Sequence, residues 1–214
     1  MPIEIDRPIA LVGLMGVGKT TVGRRLAAKL GLPFHDSDEE IETASGRTVA
    51  GYFRDHGEAA FRQGEYRVIK RLLDDKPIIL GTGGGAFIQP KTQKLLRDHS
   101  ITIWLKGDFK TLFERVRRKD TRPLLQVPDP AGTYRKLMDE RYPVYAKAHI
   151  TVNIAKGPHS RTVNRVMRAL ELHYAQEQGK TPKKSRRRHP SRRRRNPHTI
   201  NRKISPSSQI KEQS

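Results

Sequence analysis

The sequence predicts an α/β protein in which a five-stranded parallel sheet lies between two layers of helices. Short apolar runs, each the length of a buried strand, alternate with segments whose apolar residues recur at helical spacing. This alternation is typical of parallel strands joined by right-handed helical crossovers. The first predicted strand, residues 8–12, runs into a loop at residues 13–20 with the spacing Gly, any four residues, Gly-Lys, then Ser or Thr. This pattern, known as a P-loop, predicts the three-layer fold of a P-loop NTPase.

The P-loop has the composition needed to hold a phosphate chain. Its glycines let backbone N–H groups curl around phosphate oxygens, and the N-terminus of the following helix adds positive potential. We expect Lys19 to reach the β- and γ-phosphates and to act in catalysis, and the Thr20 hydroxyl to bind Mg²⁺. The alternative is a glycine-rich turn that binds nothing. The residues of this segment expected to bind ATP are Gly16, Val17, Gly18, Lys19, Thr20 and Thr21.

Two carboxylates follow the second predicted strand. Gly31 is placed to end the first helix, and Asp36 and Asp38 stand at the end of the short strand that follows, on the edge of a parallel sheet where ligands bind. One carboxylate there can orient Mg²⁺ or its waters, and the other can hold a substrate hydroxyl for attack. Alternatively, Asp38 only caps the helix that starts near Glu39.

Residues 39–75 are predicted to be helical, with interruptions at Gly46 and Gly57 and a helix cap at Thr48. Arg62 lies within this region. It is either solvated or paired with a nearby Glu, or it forms a bidentate clamp on a substrate carboxylate.

Three consecutive glycines follow the strand predicted at residues 77–80. Gly83, Gly84 and Gly85 would allow a small ligand to approach the backbone closely. A tight connection without a ligand is equally consistent with this pattern.

A further strand is predicted at residues 101–105, followed by a helix capped by Asp108. Residues 117–130 are predicted to form a mobile loop. In that loop Arg122 could fold over the transferring phosphoryl group, and Arg118 could stack on a purine. The alternative is a solvated basic surface loop.

The next helix is predicted at residues 133–148, with a bend at Tyr142-Pro143. Arg141 lies at that bend, where it is either solvated or directed toward a ligand. The last strand is predicted at residues 149–154, and the turn at residues 155–158 could flank a nucleobase. A final amphipathic helix closes the predicted domain.

The composition limits the compartment and the kinds of site. The chain of 214 residues has no cysteine, which excludes disulfides and Cys-based zinc sites. No apolar run is long enough to cross a bilayer, and the first residues do not form a signal peptide. We therefore expect a cytoplasmic protein without a membrane span.

Residues 179–214 contribute +12 to the formal net charge of +21. They contain almost no apolar residues, so we predict a basic, disordered C-terminal tail behind a globular domain at residues 1–178. Such a tail can bind an anionic polymer or membrane, with little sequence preference and a strong salt dependence. A tolerated extension without function is the alternative.

These residues together resemble the shikimate kinase family. The resemblance covers about residues 8–175, and the basic tail is not part of the family's pattern. The motifs that carry it occur in the family's order and are the P-loop, Asp36-Ser37-Asp38, Phe61-Arg62, Gly83-Gly84-Gly85, Arg122-Pro123-Leu124-Leu125, and Arg141 before Pro143-Val144-Tyr145.

The resemblance implies ATP-dependent phosphorylation of the 3-hydroxyl of shikimate, in chorismate and aromatic amino-acid biosynthesis. It also implies the fold of nucleoside monophosphate kinases. In that fold a substrate-binding helical insert would occupy about residues 37–66, and a lid would occupy about residues 117–130.

The resemblance further implies a role for each matched residue. Asp36 would hold Mg²⁺ together with Thr20, and Asp38 would bind shikimate hydroxyls and serve as the base. Arg62 and Arg141 would clamp the shikimate carboxylate. Arg122, in the lid, would touch the phosphates. The remaining implied contacts are with the shikimate ring, from Gly83, Gly84 and Gly85, and with adenine, from Arg118, Lys156 and Pro158.

Two other functions are open from the sequence. One is a different small-molecule kinase of the same fold, such as a gluconate or nucleotide kinase, and the other is a nucleic-acid-binding protein recruited by its tail. Arg62, Arg141 and the triple glycine favour a carboxylated polyol as substrate, whereas intact Lys19, Thr20 and Asp38 argue against loss of catalysis. We expect a monomer that binds shikimate and Mg²⁺-ATP.

Overall fold

The structure is a computed structural model and describes residues 4–74, 76–118, 127–154 and 157–179. Its strands are β1 (Ile9–Val12), β2 (Phe34–Asp36), β3 (Ile79–Gly81), β4 (Ile101–Lys106) and β5 (Ile150–Asn153). They form one sheet in the order β2-β3-β1-β4-β5, and every pairing is parallel. The prediction of a five-stranded parallel sheet is therefore confirmed.

Helices join the strands and cover the sheet. Within the described ranges they are α1 (Lys19–Leu30), α2 (Ser37–Ser45), α3 (Val49–Leu73), α4 (Pro90–His99), α5 (Phe109–Val116), α6 (Pro130–Tyr145), α7 (His159–Glu177) and a 3-10 turn at Ala86–Ile88. All residues of β1 and β3 are buried, which requires cover on both faces of the sheet. Helix α1 packs against α7, and α3 packs against α4.

The helices α2 and α3 occupy the segment between β2 and β3. Helix α2 ends at Gly46, and α3 is interrupted at Gly57, where φ is 75° and ψ is 173°. Only glycine adopts that backbone conformation without strain. Thr48 caps α3, because its hydroxyl accepts a hydrogen bond from the backbone N–H of Gly51 at 3.1 Å. The predicted interruptions and the predicted cap are thus confirmed.

Helix α6 begins at Pro130, three residues earlier than predicted. Asp129 caps it by accepting a hydrogen bond from the backbone N–H of Gly132 at 2.9 Å. This cap shortens the loop that the sequence predicts at residues 117–130. Residues 119–126 of the predicted lid lie outside the described ranges.

Helix α6 continues through Pro143 and ends at Tyr145, three residues before the predicted end at residue 148. A proline removes one backbone donor, and here it does so close to the helix end. The backbone N–H of Ala146 still donates to the Tyr142 carbonyl at 3.0 Å, which keeps the last turn closed. Arg141 therefore lies within α6.

No helix within the described ranges combines the length and the apolar character needed to cross a bilayer. All of these residues belong to the unit Met1–Pro182. The predicted domain boundary at residue 178 stays a prediction. The predicted basic tail lies outside the described ranges from residue 180 onward.

Candidate active site

The P-loop begins at Gly13, at the carboxyl end of β1, where it lies against the last residues of β4. Gly13 has a φ of +140°, and a Cβ there would lie 2.7 Å from the Leu105 carbonyl oxygen, so only glycine fits. A cavity of about 520 Å³ opens beside the loop. The predicted site residues that line this cavity are Gly16, Gly18, Lys19, Thr20, Thr21, Asp36, Asp38, Gly84 and Arg118.

The Lys19 side chain folds back over the P-loop. Its Nζ donates hydrogen bonds to the Gly13 carbonyl at 2.8 Å and to the Leu14 carbonyl at 3.2 Å. These bonds hold the ammonium beside the cavity, where it can exchange a carbonyl partner for a phosphate oxygen.

Asp36 ties the P-loop helix to the start of α2. Its Oδ2 accepts a hydrogen bond from the Thr20 hydroxyl at 2.8 Å, and its Oδ1 accepts one from the backbone N–H of Asp38 at 3.1 Å. Asp36 is therefore the N-cap of α2. The alternative interpretation of Asp38 as only a cap is wrong, because Asp38 lies inside the first turn of α2.

The Asp38 carboxylate lies against the turn at Gly83, Gly84 and Gly85, which we call the glycine turn. A Cβ at Gly83 would lie 2.6 Å from Oδ1 of Asp38, so the backbone of the turn approaches this carboxylate closely. Ser37, beside it, is fully buried and accepts a hydrogen bond from the backbone N–H of Gly83 at 2.8 Å. Burial raises the pKa of Asp38, and the Asp36 charge adds to this effect, whereas Lys19 and Arg62 oppose it.

Arg62 is held by two carboxylates of its own helix. Its Nη1 donates to Oε2 of Glu65 at 2.8 Å, and its Nη2 donates to Glu58 at 3.2 Å. Its guanidinium also lies over the rings of Phe53 and Phe61, at 5.7 Å and 5.2 Å from their centroids. These contacts fix the planar fork in one orientation before any ligand binds.

Glu65 is a site residue that the sequence reasoning missed. It is fully buried, and a Cβ at Gly83 would lie 3.0 Å from its Oε1. Among the residues that the structure describes, this oxygen has no hydrogen-bond partner. Burial raises the pKa of Glu65, although the Arg62 guanidinium opposes this effect. The only available signal was its position three residues after Arg62, which is common on solvated helices.

The glycine turn brings both predicted clamp arginines together. A Cβ at Gly85 would lie 2.4 Å from Nη2 of Arg62. From α6, Nη1 of Arg141 donates to the Gly84 carbonyl at 3.1 Å. The Arg62 charge also opposes the raised pKa of Asp38. One small region therefore offers two guanidiniums, the carboxylates of Asp38 and Glu65, and a backbone without side chains.

Residues of α5 and α7 and the residue Arg118 also line the cavity. Arg118 lines it together with Arg115 and Val116, and His159 contributes from the first residue of α7. Burial lowers the pKa of His159, and the charges of Arg115 and Arg25 lower it further. The sequence reasoning missed His159, which has no motif around it.

The remaining predicted site residues stand outside the cavity lining or outside the described ranges. The Val17 side chain is buried, and its backbone N–H donates to the Leu14 carbonyl at 3.3 Å. Pro158 is the N-cap residue of α7. Arg122 and Lys156 lie outside the described ranges.

A protein-family model described as shikimate kinase matches residues 15–171. The chain belongs to the shikimate kinase family. A shikimate kinase of Bradyrhizobium diazoefficiens is 49% identical to it over 82% of this chain and 85% of the relative. One of Rhodopseudomonas palustris is 50% identical over 77% of this chain and 81% of the relative. The chain is therefore an enzyme of the kinase class, as predicted.

Solved structures agree with the shikimate kinase family and its fold. A shikimate kinase from Acinetobacter baumannii, solved in complex with shikimate, is 38% identical with a TM-score of 0.75, over 81% of this chain and 96% of that one. A gluconokinase from Sinorhizobium meliloti is 18% identical with a TM-score of 0.54, which shows only the shared fold. The predicted three-layer P-loop fold is confirmed.

Proposed function

We propose that the chain transfers the γ-phosphoryl group of ATP to the 3-hydroxyl of shikimate, within chorismate and aromatic amino-acid biosynthesis. The observation that carries this proposal is the convergence of Arg62, Arg141 and Asp38 on the turn at Gly83–Gly85, beside a P-loop. Shikimate carries one carboxylate and several hydroxyls, so its recognition needs cations for the former and a carboxylate for the latter. Membership of the shikimate kinase family supports the same substrate.

Asp38 is the proposed base. Its carboxylate lies at the junction between the P-loop cavity and the glycine turn, where a substrate hydroxyl would face the γ-phosphate. Burial and the charge of Asp36 raise its pKa, which makes the carboxylate a stronger proton acceptor at neutral pH. It would accept the hydroxyl proton while the oxygen attacks phosphorus and the bond to ADP breaks.

Arg62 and Arg141 are the proposed carboxylate clamp. Each presents a planar fork that can bind a carboxylate with two parallel hydrogen bonds. Such binding fixes the ring at the end remote from the reacting hydroxyl, and it positions that hydroxyl for in-line attack. Gly83, Gly84 and Gly85 would let the ring lie directly against the backbone.

Thr20 and Asp36 fit a magnesium ion. Their oxygens are 2.8 Å apart at the mouth of the cavity, and hard oxygen donors are the ligands that Mg²⁺ prefers. The described residues contain no group of three or more His, Cys, Asp and Glu that could hold a metal by themselves. This suits an ion that takes one or two protein oxygens together with ATP phosphates. When bound, Mg²⁺ neutralises charge on the phosphate oxygens.

The remaining proposed contacts serve ATP and the exclusion of water. Gly16, Val17, Gly18, Lys19, Thr20 and Thr21 would surround the phosphates. Arg118, Lys156 and Pro158 would flank adenine. Arg122 would close over the phosphates as part of a lid, because an open site would hydrolyse ATP.

We also propose that the enzyme acts as a cytoplasmic monomer. The groups proposed for ATP and for shikimate lie on one chain, so catalysis needs no second copy. Gel filtration with light scattering would check this: a mass near 24.4 kDa is expected, and a mass of twice that value would contradict it.

The test of the proposed function is a coupled ADP-release assay with Mg²⁺-ATP and a panel of acceptors. Shikimate should give ADP release well above the rate without acceptor, whereas gluconate and nucleoside monophosphates should not. Turnover of one of those acceptors in place of shikimate would keep the fold and overturn the substrate. No turnover with any acceptor would overturn the kinase proposal for this chain.

A further inference from the structure

Within the described part of the chain, the carbonyl of Gly84 accepts hydrogen bonds from two donors, and both come from α6. Nη1 of Arg141 donates to it at 3.1 Å, and the hydroxyl of Tyr145 donates to it at 2.5 Å. The two side chains lie one helical turn apart, so they project from the same face of α6. Two hydrogen bonds to the Gly84 carbonyl oxygen therefore join the backbone of the glycine turn to α6.

Tyr145 is built into the core and is not available to solvent. It is fully buried, with its ring 6.4 Å from that of Phe87 and 6.1 Å from that of Trp104. Burial raises the pKa of Tyr145 to about 12, against the opposing effect of the Arg141 guanidinium. Its hydroxyl therefore keeps its proton and stays a donor throughout the working pH range.

The two donors are expected to respond differently to substrate. Arg141 is proposed to bind the shikimate carboxylate, a stronger acceptor than a neutral carbonyl, so its guanidinium should turn toward that ligand. Gly84 is half-buried, and its carbonyl would lose this hydrogen bond without replacement if Arg141 were its one donor. Because Tyr145 also donates to Gly84, the carbonyl keeps a partner when Arg141 turns away.

We propose that Tyr145 is a positioning residue for the substrate carboxylate. Its hydroxyl donates to the Gly84 carbonyl and so holds the glycine turn in place. Arg141 can then leave this carbonyl and donate its hydrogen bond to the substrate carboxylate instead. The inference rests on the proposed function, since it assigns to Tyr145 a role in binding shikimate. It also explains why a tyrosine stands at a fully buried position where phenylalanine would pack equally well.

The variant Tyr145→Phe tests the inference, with Tyr142→Phe as its matched control. Tyr142 lies on the same helix, and its hydroxyl also donates to a loop carbonyl, that of Gly107, at 2.5 Å. Tyr145→Phe should raise the KM for shikimate about fivefold, the effect of one lost hydrogen bond, with kcat and the KM for ATP little changed. Tyr142→Phe should leave the KM for shikimate within about twofold of the wild type.

Melting temperatures of both variants separate positioning from simple destabilisation. A comparable loss of stability in both variants, with a KM change in only one, would support the inference. An unchanged KM in Tyr145→Phe, or equal KM changes in the two variants, would overturn it. Wild-type turnover of shikimate is measured in the same series, so failure of the proposed function is recognised separately.

A second measurement does not depend on how the variants fold. In a crystal structure of the wild-type chain with shikimate, the Tyr145 hydroxyl should remain within about 3 Å of the Gly84 carbonyl while Arg141 contacts the carboxylate. A complex in which this hydroxyl has left Gly84 would overturn the inference.

Discussion

Burial destabilises the charged form of two acidic side chains beside the glycine turn. Asp38 and Glu65 both approach Gly83, and burial raises the pKa of each. Arg62 offsets part of this effect, through a hydrogen bond to Glu65 and through its charge near Asp38. Groups placed in this way commonly mark functional sites, where stability is given up for chemistry.

The variant Asp38→Asn should lower kcat by about 10²- to 10⁴-fold, because it removes the proposed base and leaves the P-loop intact. ATP affinity should change little, which titration with a fluorescent nucleotide would measure. Turnover close to that of the wild type would remove Asp38 from the catalytic group.

The same variant should be more stable than the wild type at neutral pH. Because the pKa of Asp38 is raised in the folded state, the folded protein binds this proton more tightly than the unfolded chain does. The carboxylate therefore lowers the free energy of unfolding above its raised pKa, and this penalty vanishes below the ordinary pKa of 3.8.

We expect Asp38→Asn to raise the melting temperature by about 2 °C near pH 8 in EDTA, with the gain shrinking as the pH falls toward about 4. Asp98→Asn is the control, because Asp98 is ion-paired with Lys94 and its pKa is lowered. It should give no such gain. A melting temperature of Asp38→Asn below that of the wild type at both pH values would contradict the assignment.

The clamp is tested by Arg62→Ala. Loss of a charge-assisted contact should raise the KM for shikimate by about 10- to 100-fold, with the KM for ATP nearly unchanged. Arg67→Ala is the control, since Arg67 is an exposed arginine of the same helix. Arg62→Lys should restore little, because an ammonium lacks the planar fork. An unchanged KM in Arg62→Ala would show that this guanidinium does not bind the carboxylate.

At the amino-terminal edge of the sheet, hydrogen bonds join the start of β4 to the residue before β5. His149, just before β5, accepts at Nδ1 a hydrogen bond from the backbone N–H of Thr102 in β4, at 3.1 Å. Its own backbone N–H donates to the Thr102 hydroxyl at 3.0 Å. Because an N–H can only donate, Nδ1 must be unprotonated in this arrangement.

Because His149 Nδ1 must stay unprotonated to accept this hydrogen bond, the free energy of unfolding should depend on pH. Burial lowers the pKa of His149 below its ordinary 6.5, and the charge of Arg97 lowers it further. In the range between the lowered pKa and 6.5 the unfolded chain binds more protons, so stability is lost as the pH falls below 6.5.

The variant His149→Gln should flatten this dependence between about pH 7.5 and 5.5, as measured by urea unfolding. His56→Gln, at an exposed position of α3, should leave the slope as it is in the wild type. An equal slope in the wild type and in His149→Gln would contradict the link.

The elements were predicted well where the signal is local. The caps at Thr48 and Asp108 are as expected, because capping involves residues only three apart. The bounds of α6 were predicted less well, since it spans Pro130–Tyr145 and not residues 133–148, because a helix end also depends on what packs there. That packing comes from other segments, as the contact of Tyr145 with Phe87 illustrates.

In the candidate site, too, the residues of a local motif could be predicted and those brought in by distant contacts could not. The P-loop is a contiguous motif whose geometry follows from its spacing, so its residues could be predicted. Glu65, Tyr145 and His159 are brought to the site by contacts between distant segments of the chain, and no local pattern distinguishes them from ordinary core or surface residues. The roles of Arg62 and Arg141 became predictable only through the resemblance to a family.

The formal charge is distributed unevenly between residues 1–178 and the predicted tail. Residues 179–214 carry +12, and the matched family model ends at residue 171. The proposed groups for both substrates lie before the tail begins. We therefore expect catalysis to be independent of it.

A chain that ends at Gln178 should keep kcat/KM for shikimate within about twofold of the full chain. The full chain alone should bind heparin or RNA, with an affinity that falls steeply as salt increases. Loss of most activity on truncation would show that the tail belongs to the catalytic unit. Equal polyanion binding by both chains would place that binding on the domain.

The position of the phosphate on the reaction product distinguishes the proposed reaction from all alternatives. The full chain, supplied with Mg²⁺-ATP and shikimate, should form one phosphate monoester, and phosphorus–proton NMR should show its phosphorus coupled to the proton on carbon 3. ADP should appear in equal amount. A phosphate on another hydroxyl, or ATP consumption that yields only inorganic phosphate, would contradict the proposed arrangement of Asp38, Arg62 and Arg141 around the substrate.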